Sequence, residues 1–262
     1  MLNENIIMVL DVGNSNIKCG LFGGGELLHS WRMSTDRLKS SDEYGIMIGS
    51  FFRHLEISTK QVGGIMISSV IPSINYTLEH MCHIYFDITP IFVGPGIKTG
   101  INILYDNPGS LGADRIVNAV AAYELYGGDT PVITVDFGTA TTFGAISQKG
   151  EFVGGLICPG IKISADTLTE STAKLPRIEL VKPKNVINRN TIGCMQAGII
   201  YGYVGQVDYI IRKMKVELGG VAKVIATGGL SGLIASETGA IDLINPTLTL
   251  QGLYYLYQKN VA

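Results

Sequence analysis

The chain has 262 residues, of which 46 % are hydrophobic and 16 % charged, and its formal net charge is −2. This much apolar material supports a large core and excludes a disordered chain, and the length suits two halves of about 120 to 140 residues. The charge leaves no basic footprint for nucleic acid, and every apolar run falls short of the roughly 18 residues that a membrane-spanning helix needs.

Residues 1–7 carry Asn and Glu instead of a basic leader, so a soluble cytoplasmic protein without a signal peptide is expected. Residues 6–11, 17–22 and 26–33 read as a three-strand meander, with Gly23-Gly24-Gly25 turning the second strand into the third. Ser40-Ser41-Asp42-Glu43 gives a helix start for Tyr44 to Leu55. A buried strand over 62–70, a helix opened by Pro72-Ser73 and a short strand over 90–93 follow. Meander first, then alternating helix and strand, describes an α/β half with a mixed sheet.

The stretch from Gly94 to Gly112 is loop-rich and long enough to be functional. It ends at Ala113-Asp114-Arg115, ahead of a helix over 116–126. Asp114 at that helix start reads equally as an N-cap or as a catalytic carboxylate.

The second half opens on the apolar run Pro131 to Val135 and the turn Asp136-Phe137-Gly138-Thr139-Ala140-Thr141-Thr142. Gly138 permits positive φ or close approach of a ligand. The hydroxyls and amides of Thr139 and Thr141 can donate to phosphate oxygens, and Asp136, at a strand end, can sit near a cation. A single Asp-x-Gly turn is common by chance. Here the pattern occurs twice, since Asp11-Val12-Gly13-Asn14-Ser15-Asn16-Ile17-Lys18 also links apolar strand to strand. Two copies imply two similar halves, each offering a phosphate-facing loop to a shared cleft.

A strand over 151–158, a helix over 161–173 with a polar face, an irregular segment over 174–190 and a long helix from Thr191 to about Leu218 come next. Gly193, Ala197, Gly198, Gly202 and Gly205 recur along the long helix and suit either tight packing within the chain or a dimer interface. The strand 223–226 leads into the glycine cluster Gly228-Gly229-Leu230-Ser231-Gly232, which would open a helix toward a nucleotide. A last helix runs from Leu248 to Gln258. Cys19, Cys82, Cys158 and Cys194 lack CxxC spacing and read as free thiols in a reducing compartment, not as a zinc site.

In this order, Asp11-Val-Gly13-Asn14-Ser15-Asn16-Ile-Lys18, Gly112-Ala-Asp114-Arg115, Asp136-Phe-Gly138-Thr139-Ala-Thr141, Gly154-Gly155-x-x-x-Pro159-Gly160 and Thr191-Ile-Gly193 resemble the type III pantothenate kinases. These belong to the acetate kinase, sugar kinase, Hsp70 and actin superfamily. The resemblance covers essentially the whole chain; Ser15 stands where Thr is common and keeps a hydroxyl. It implies an α/β fold of two actin-like, ribonuclease H-like halves, 1–126 and 127–262, with mixed sheets flanked by helices and the active-site cleft between them.

It also implies transfer of phosphate from ATP to pantothenate, the first step of coenzyme A synthesis, by a homodimer. On that resemblance Asp11, Val12, Gly13, Asn14, Ser15, Asn16, Ile17, Lys18 and Thr139 hold ATP. Asp114 is the general base, Gly112, Ala113, Asp114 and Arg115 hold pantothenate with Tyr105 and Thr191, and Asp136 binds K⁺ or NH₄⁺ alongside Mg²⁺-ATP. The competing readings are another small-molecule kinase such as a sugar kinase, a non-catalytic nucleotide-binding regulator, and an actin-like filament protein.

Overall fold

The computed structural model describes residues 5–261. The first part of the stretch read above for a leader, residues 1–4, lies outside them. The chain opens with an antiparallel meander, β1 (Ile6–Val12), β2 (Asn16–Gly23) and β3 (Glu26–Ser34). Gly24 and Gly25 join β2 to β3 with φ of 59° and 94°, the two positive values that a type I′ hairpin demands. Then comes α1 (Ser41–His54), begun by a full capping box in which Ser40 and Glu43 each accept from the other's backbone N–H. β4 (Val62–Ser69), α2 (Asn75–Phe86) and β5 (Ile91–Phe92) complete the expected alternation. Pro72–Ile74 is a separate 3₁₀ turn ahead of α2 and not the helix's first turn.

The glycine-rich stretch is not wholly irregular. It contains β6 (Asn102–Ile103) and a 3₁₀ turn at Pro108–Ser110. α3 (Ala113–Tyr126) starts three residues earlier than its apolar stripe suggests. The rest of the chain comprises β7 (Val132–Phe137), β8 (Ala140–Ile146), β9 (Glu151–Pro159), α4 (Ile161–Glu170), α5 (Thr191–Glu217), β10 (Lys223–Gly228), α6 (Ser231–Ala235), β11 (Leu243–Ile244) and α7 (Leu248–Val261). α4 stops at Glu170 instead of reaching Ala173.

Two mixed sheets result, ordered β3-β2-β1-β4-β5 and β11-β10-β7-β8-β9-β6. Five strands of the second repeat the first. The central strand, β1 or β7, is antiparallel to its hairpin partner and parallel to the strand that follows the helices. β6 is an addition, parallel to β9 at the sheet edge.

Residue contacts divide the chain into two units. One holds the chain up to Gly100, Asn107–Ala121 and the residues from Thr249 on; the other holds Ile101–Asp106 and Ala122–Leu248. The division expected at 126/127 therefore falls elsewhere, inside α3, and nearly all of α7 counts with the first unit. The cause is packing. β1 is buried along its whole length, so its sheet is covered on both faces. Met8, Leu10 and Val12 point to a core shared with Tyr44, Ile48 and Phe52 of α1 and Leu78 and Met81 of α2. The opposite face carries glycine notches for α7. Leu250 sits at Gly20, Tyr257 occupies the space a Cβ on Gly64 would need, and Tyr254 stacks on Phe22 with ring centroids 4.6 Å apart. Gly252 lets α7 meet the Val117 carbonyl of α3 at backbone distance, and Thr249 Oγ1 donates to Asn118 Oδ1 at 2.8 Å.

In the second unit Ile133, Val135, Phe137, Phe143, Val224 and Ala226 form a core with Tyr203, Val207 and Ile211 of α5. Each Ile, Val and Phe side chain among these contributes about 1.5–3 kcal/mol by leaving water.

Candidate active site

The first loop leaves β1 after Val12, and its tip, Asn14, Ser15 and Asn16, is exposed. It is closed by Gly13 N–H donating to Asn16 O at 3.0 Å and held from outside by Thr35, which donates Oγ1 to Gly13 O at 2.7 Å and N–H to Ser15 O at 3.1 Å. Asp11 precedes the tip on β1, 8 % exposed, and the Lys18 ammonium lies 3.4 Å from its carboxylate. Val12 and Ile17 are fully buried in the core, so at these two positions only backbone groups are available to a ligand. Arg37 reaches Asn14 Oδ1 at 3.5 Å and adds a guanidinium at the tip. Thr35 and Arg37 were not recognised in the sequence, because they act on the loop from 22 and 23 residues away with no motif to mark them.

The second loop is one residue shorter and closes by Gly138 N–H donating to Ala140 O at 3.1 Å. Gly138 and Thr139 are exposed at its tip, and Asp136 is half-buried at the end of β7. Thr141 departs from its expected part as a phosphate donor. It is 1 % exposed, and its hydroxyl lies 2.6 Å from the Tyr203 hydroxyl, which is also 2.6 Å from Pro159 O. A carbonyl can only accept, so the phenol donates to Pro159 and accepts from Thr141. Burial raises the Tyr203 pKa and the bond from Thr141 lowers it, with burial the larger effect. Gly160 passes against the Gly138 and Thr139 carbonyls, where a Cβ would collide. Across the sheet Gly228, φ 92°, lies where a Cβ would come 2.6 Å from Asp136 Oδ1. The glycine cluster after β10 opens only α6, a five-residue helix.

The expected acceptor-side residues are carried by both units. In the first, α3 begins Ala113-Asp114-Arg115, with Arg115 and Ile116 N–H both donating to Gly112 O. Asp114 is thus the second helical residue and not the N-cap, and its negative charge is favoured there by the helix dipole. Its carboxylate lies over Gly112, where a Cβ would come 2.5 Å from Oδ1. Arg115 is buried, 7 % exposed. In the second unit, Tyr105 is half-buried with its ring 6.2 Å from that of Phe152. Thr191 is exposed as the first residue of α5, and the cap is Asn190, whose Oδ1 accepts from Gly193 N–H at 2.8 Å.

Cys19 and Cys82 are buried, Cys158 is half-buried and Cys194 is exposed, all as free thiols. Burial raises the pKa of the first three, that of Cys82 to about 12, so these three stay protonated near neutral pH. Among the described residues no cluster of three His, Cys, Asp or Glu could hold a metal, and no helix is long and apolar enough to cross a membrane. A cavity of about 840 Å³ in the second unit, lined by Lys149, Glu151, Leu156, Tyr209 and Lys213 among others, includes none of the expected site residues.

Two mixed sheets that share five strands in the same order, each with an Asp-x-Gly turn at the end of its central strand, make up the actin-like fold. Solved structures agree. A protein from Campylobacter jejuni described as a Baf family transcriptional activator matches with TM-score 0.60 at 20 % identity over 97 % of this chain and 98 % of its own. The ROK hexokinase of Thermus thermophilus matches at 0.52 and 12 % over 96 % and 98 %. The inorganic polyphosphate/ATP-glucomannokinase of an Arthrobacter species matches at 0.51 and 12 % over 97 % and 99 %. At these identities the likeness establishes the fold alone. The type III pantothenate kinase family model matches residues 7–213, and the chain belongs to that family, a family of kinases.

Proposed function

We propose that this protein transfers the γ-phosphoryl group of ATP to the primary hydroxyl of pantothenate, giving 4′-phosphopantothenate, as a cytoplasmic homodimer. The observation that carries the reading is the family match over residues 7–213, with Gly112-Ala113-Asp114-Arg115 intact within it. The pantothenate oxygen forms a bond to the γ-phosphorus as the bond to the β,γ-bridging oxygen breaks, and the hydroxyl proton goes to Asp114. Base assistance of this kind contributes about 10²–10⁴-fold. The rest is positioning and charge neutralisation. The amides and side chains of Asp11 to Lys18 hold phosphates from one loop, and Thr139 holds them from the other. Arg115 offers a planar fork to the pantothenate carboxylate, with Tyr105 and Thr191 as further contacts.

Mg²⁺ would arrive with ATP and keep several waters. Because Lys18 already sits beside Asp11, that carboxylate would meet Mg²⁺ through water. K⁺ or NH₄⁺ is assigned to Asp136, where the fit is in the donor set: on the neighbouring strand the fully buried Thr227 hydroxyl has no hydrogen-bond partner. A monovalent cation there supplies positive charge near the transferred phosphate. The homodimer is supported by α5, where Gly198, Gly202 and Gly205 are exposed and an added Cβ would meet nothing within 4 Å beyond the adjoining backbone of the helix itself.

A coupled ADP-release assay with pantothenate or a hexose, in K⁺ or Na⁺, with Asp114→Asn beside the wild type, tests the reading. Pantothenate-dependent ADP that collapses in Asp114→Asn is the expected result. ATP binding without such turnover would instead favour the regulator reading, which the Campylobacter jejuni neighbour brings in; turnover on the hexose alone would make it a sugar kinase.

A further inference from the structure

In the first sheet the loop aspartate meets a cation belonging to its own chain. Asp11 and Lys18 are register partners across β1 and β2, and their charged groups are 3.4 Å apart. On the other side Asp11 pairs with Ser68 of β4, fully buried with a hydroxyl that has no hydrogen-bond partner.

The second sheet repeats this arrangement with one exchange. Asp136 pairs with Thr142 across β7 and β8 and with Thr227 across β7 and β10. Residues directly paired on neighbouring strands project from the same sheet face. Thr142 and Thr227 therefore flank Asp136 as Lys18 and Ser68 flank Asp11. Thr227 is 0 % exposed, and its hydroxyl, like that of Ser68, has no hydrogen-bond partner. A buried hydroxyl in that state costs free energy unless a ligand uses it. Where the first unit has an ammonium, the second offers a carboxylate and two neutral hydroxyl oxygens. One negative charge among neutral oxygens balances a singly charged ion, whereas it would leave a divalent ion half-neutralised.

We infer that the monovalent cation at Asp136 is the counterpart of the Lys18 ammonium, and that Thr142 Oγ1 and Thr227 Oγ1 are its further ligands. This rests on the assignment of Asp136 as a cation site made above. It predicts that a lysine at position 142 replaces the ion.

The test measures binding of radioactive rubidium by equilibrium dialysis in choline buffer, together with thermal melting and ADP release, for the wild type, Thr227→Val and Thr142→Lys. Thr227→Val should weaken rubidium binding on the order of tenfold, the loss of one ligand oxygen, while melting at the same temperature or higher because the unpartnered hydroxyl is gone. Thr142→Lys should bind no rubidium, and whatever turnover it keeps should be equal in potassium and choline. A wild type that binds no rubidium and works equally in choline overturns the cation site itself. Wild-type binding with undiminished binding in Thr227→Val, or with rubidium still bound by Thr142→Lys, overturns this inference alone. If Thr142→Lys does not fold, Thr227→Val decides.

Discussion

Tyr203 on α5 and Thr141 on β8 share a 2.6 Å hydrogen bond in the interior of the second unit, and the same phenol donates to Pro159 O. One side chain thus ties the long helix to β8, which leaves the second phosphate loop, and to the end of the neighbouring β9. Tyr203→Phe leaves the buried Thr141 hydroxyl and the Pro159 carbonyl without that partner. It should cost about 1–3 kcal/mol, read as a lower urea midpoint with an unchanged m-value, and should weaken ATP binding by loosening the loop that carries Thr139.

Gly112 and Asp114 are coupled by space. A Cβ on Gly112 would come 2.5 Å from Asp114 Oδ1, so Gly112→Ala must move the carboxylate. Turnover should fall on the order of a hundredfold, as expected for a displaced base, while ATP titrations match the wild type. An equal loss in kcat and in ATP affinity would mean a wider disturbance of the first unit.

The exposed glycines of α5 separate two kinds of packing. A Cβ added at Gly202 meets nothing within 4 Å beyond the adjoining backbone of its own helix, so Gly202→Leu should fold as before. Leu is the better helix former by about 0.8 kcal/mol. Sedimentation should nevertheless shift from dimer to monomer, because the new side chain blocks a close helix approach from a second copy.

The α1 capping box sets a pH dependence. Bonds from the Ser40 backbone and then from its side chain lower the Glu43 pKa below its ordinary 4.5. A depressed carboxylate contributes stability that is fully present above 4.5 and lost as pH falls through the lowered folded value. The difference in urea midpoint between wild type and Glu43→Gln should therefore be constant from neutral pH down to about 5 and shrink below 4.5.

Much of this was legible before any coordinates. The paired Asp-x-Gly turns lie between strands whose apolar runs are unmistakable, so both central hairpins and the duplicated sheet follow from Asp11 and Asp136. β6 was not legible, because two residues carry no periodicity. The destination of α7 was not either: its knobs Leu250 and Tyr257 find notches at Gly20 and Gly64, far away in sequence, which no local pattern encodes. Thr139 and Thr141 look alike as letters. Strand alternation puts the second against Phe137 and in contact with Tyr203, leaving only the first at the loop tip.

The seat of α7 also fixes the order in which the molecule can be finished. As the chain leaves the ribosome, the first sheet emerges early with one apolar face bare, and the helix that covers it is made only after the second unit. The second unit has all its strands before the first has its lid. A chain released just short of Thr249 would hold every residue of the second unit while the first still exposed Val9, Phe22 and Met66 to chaperones.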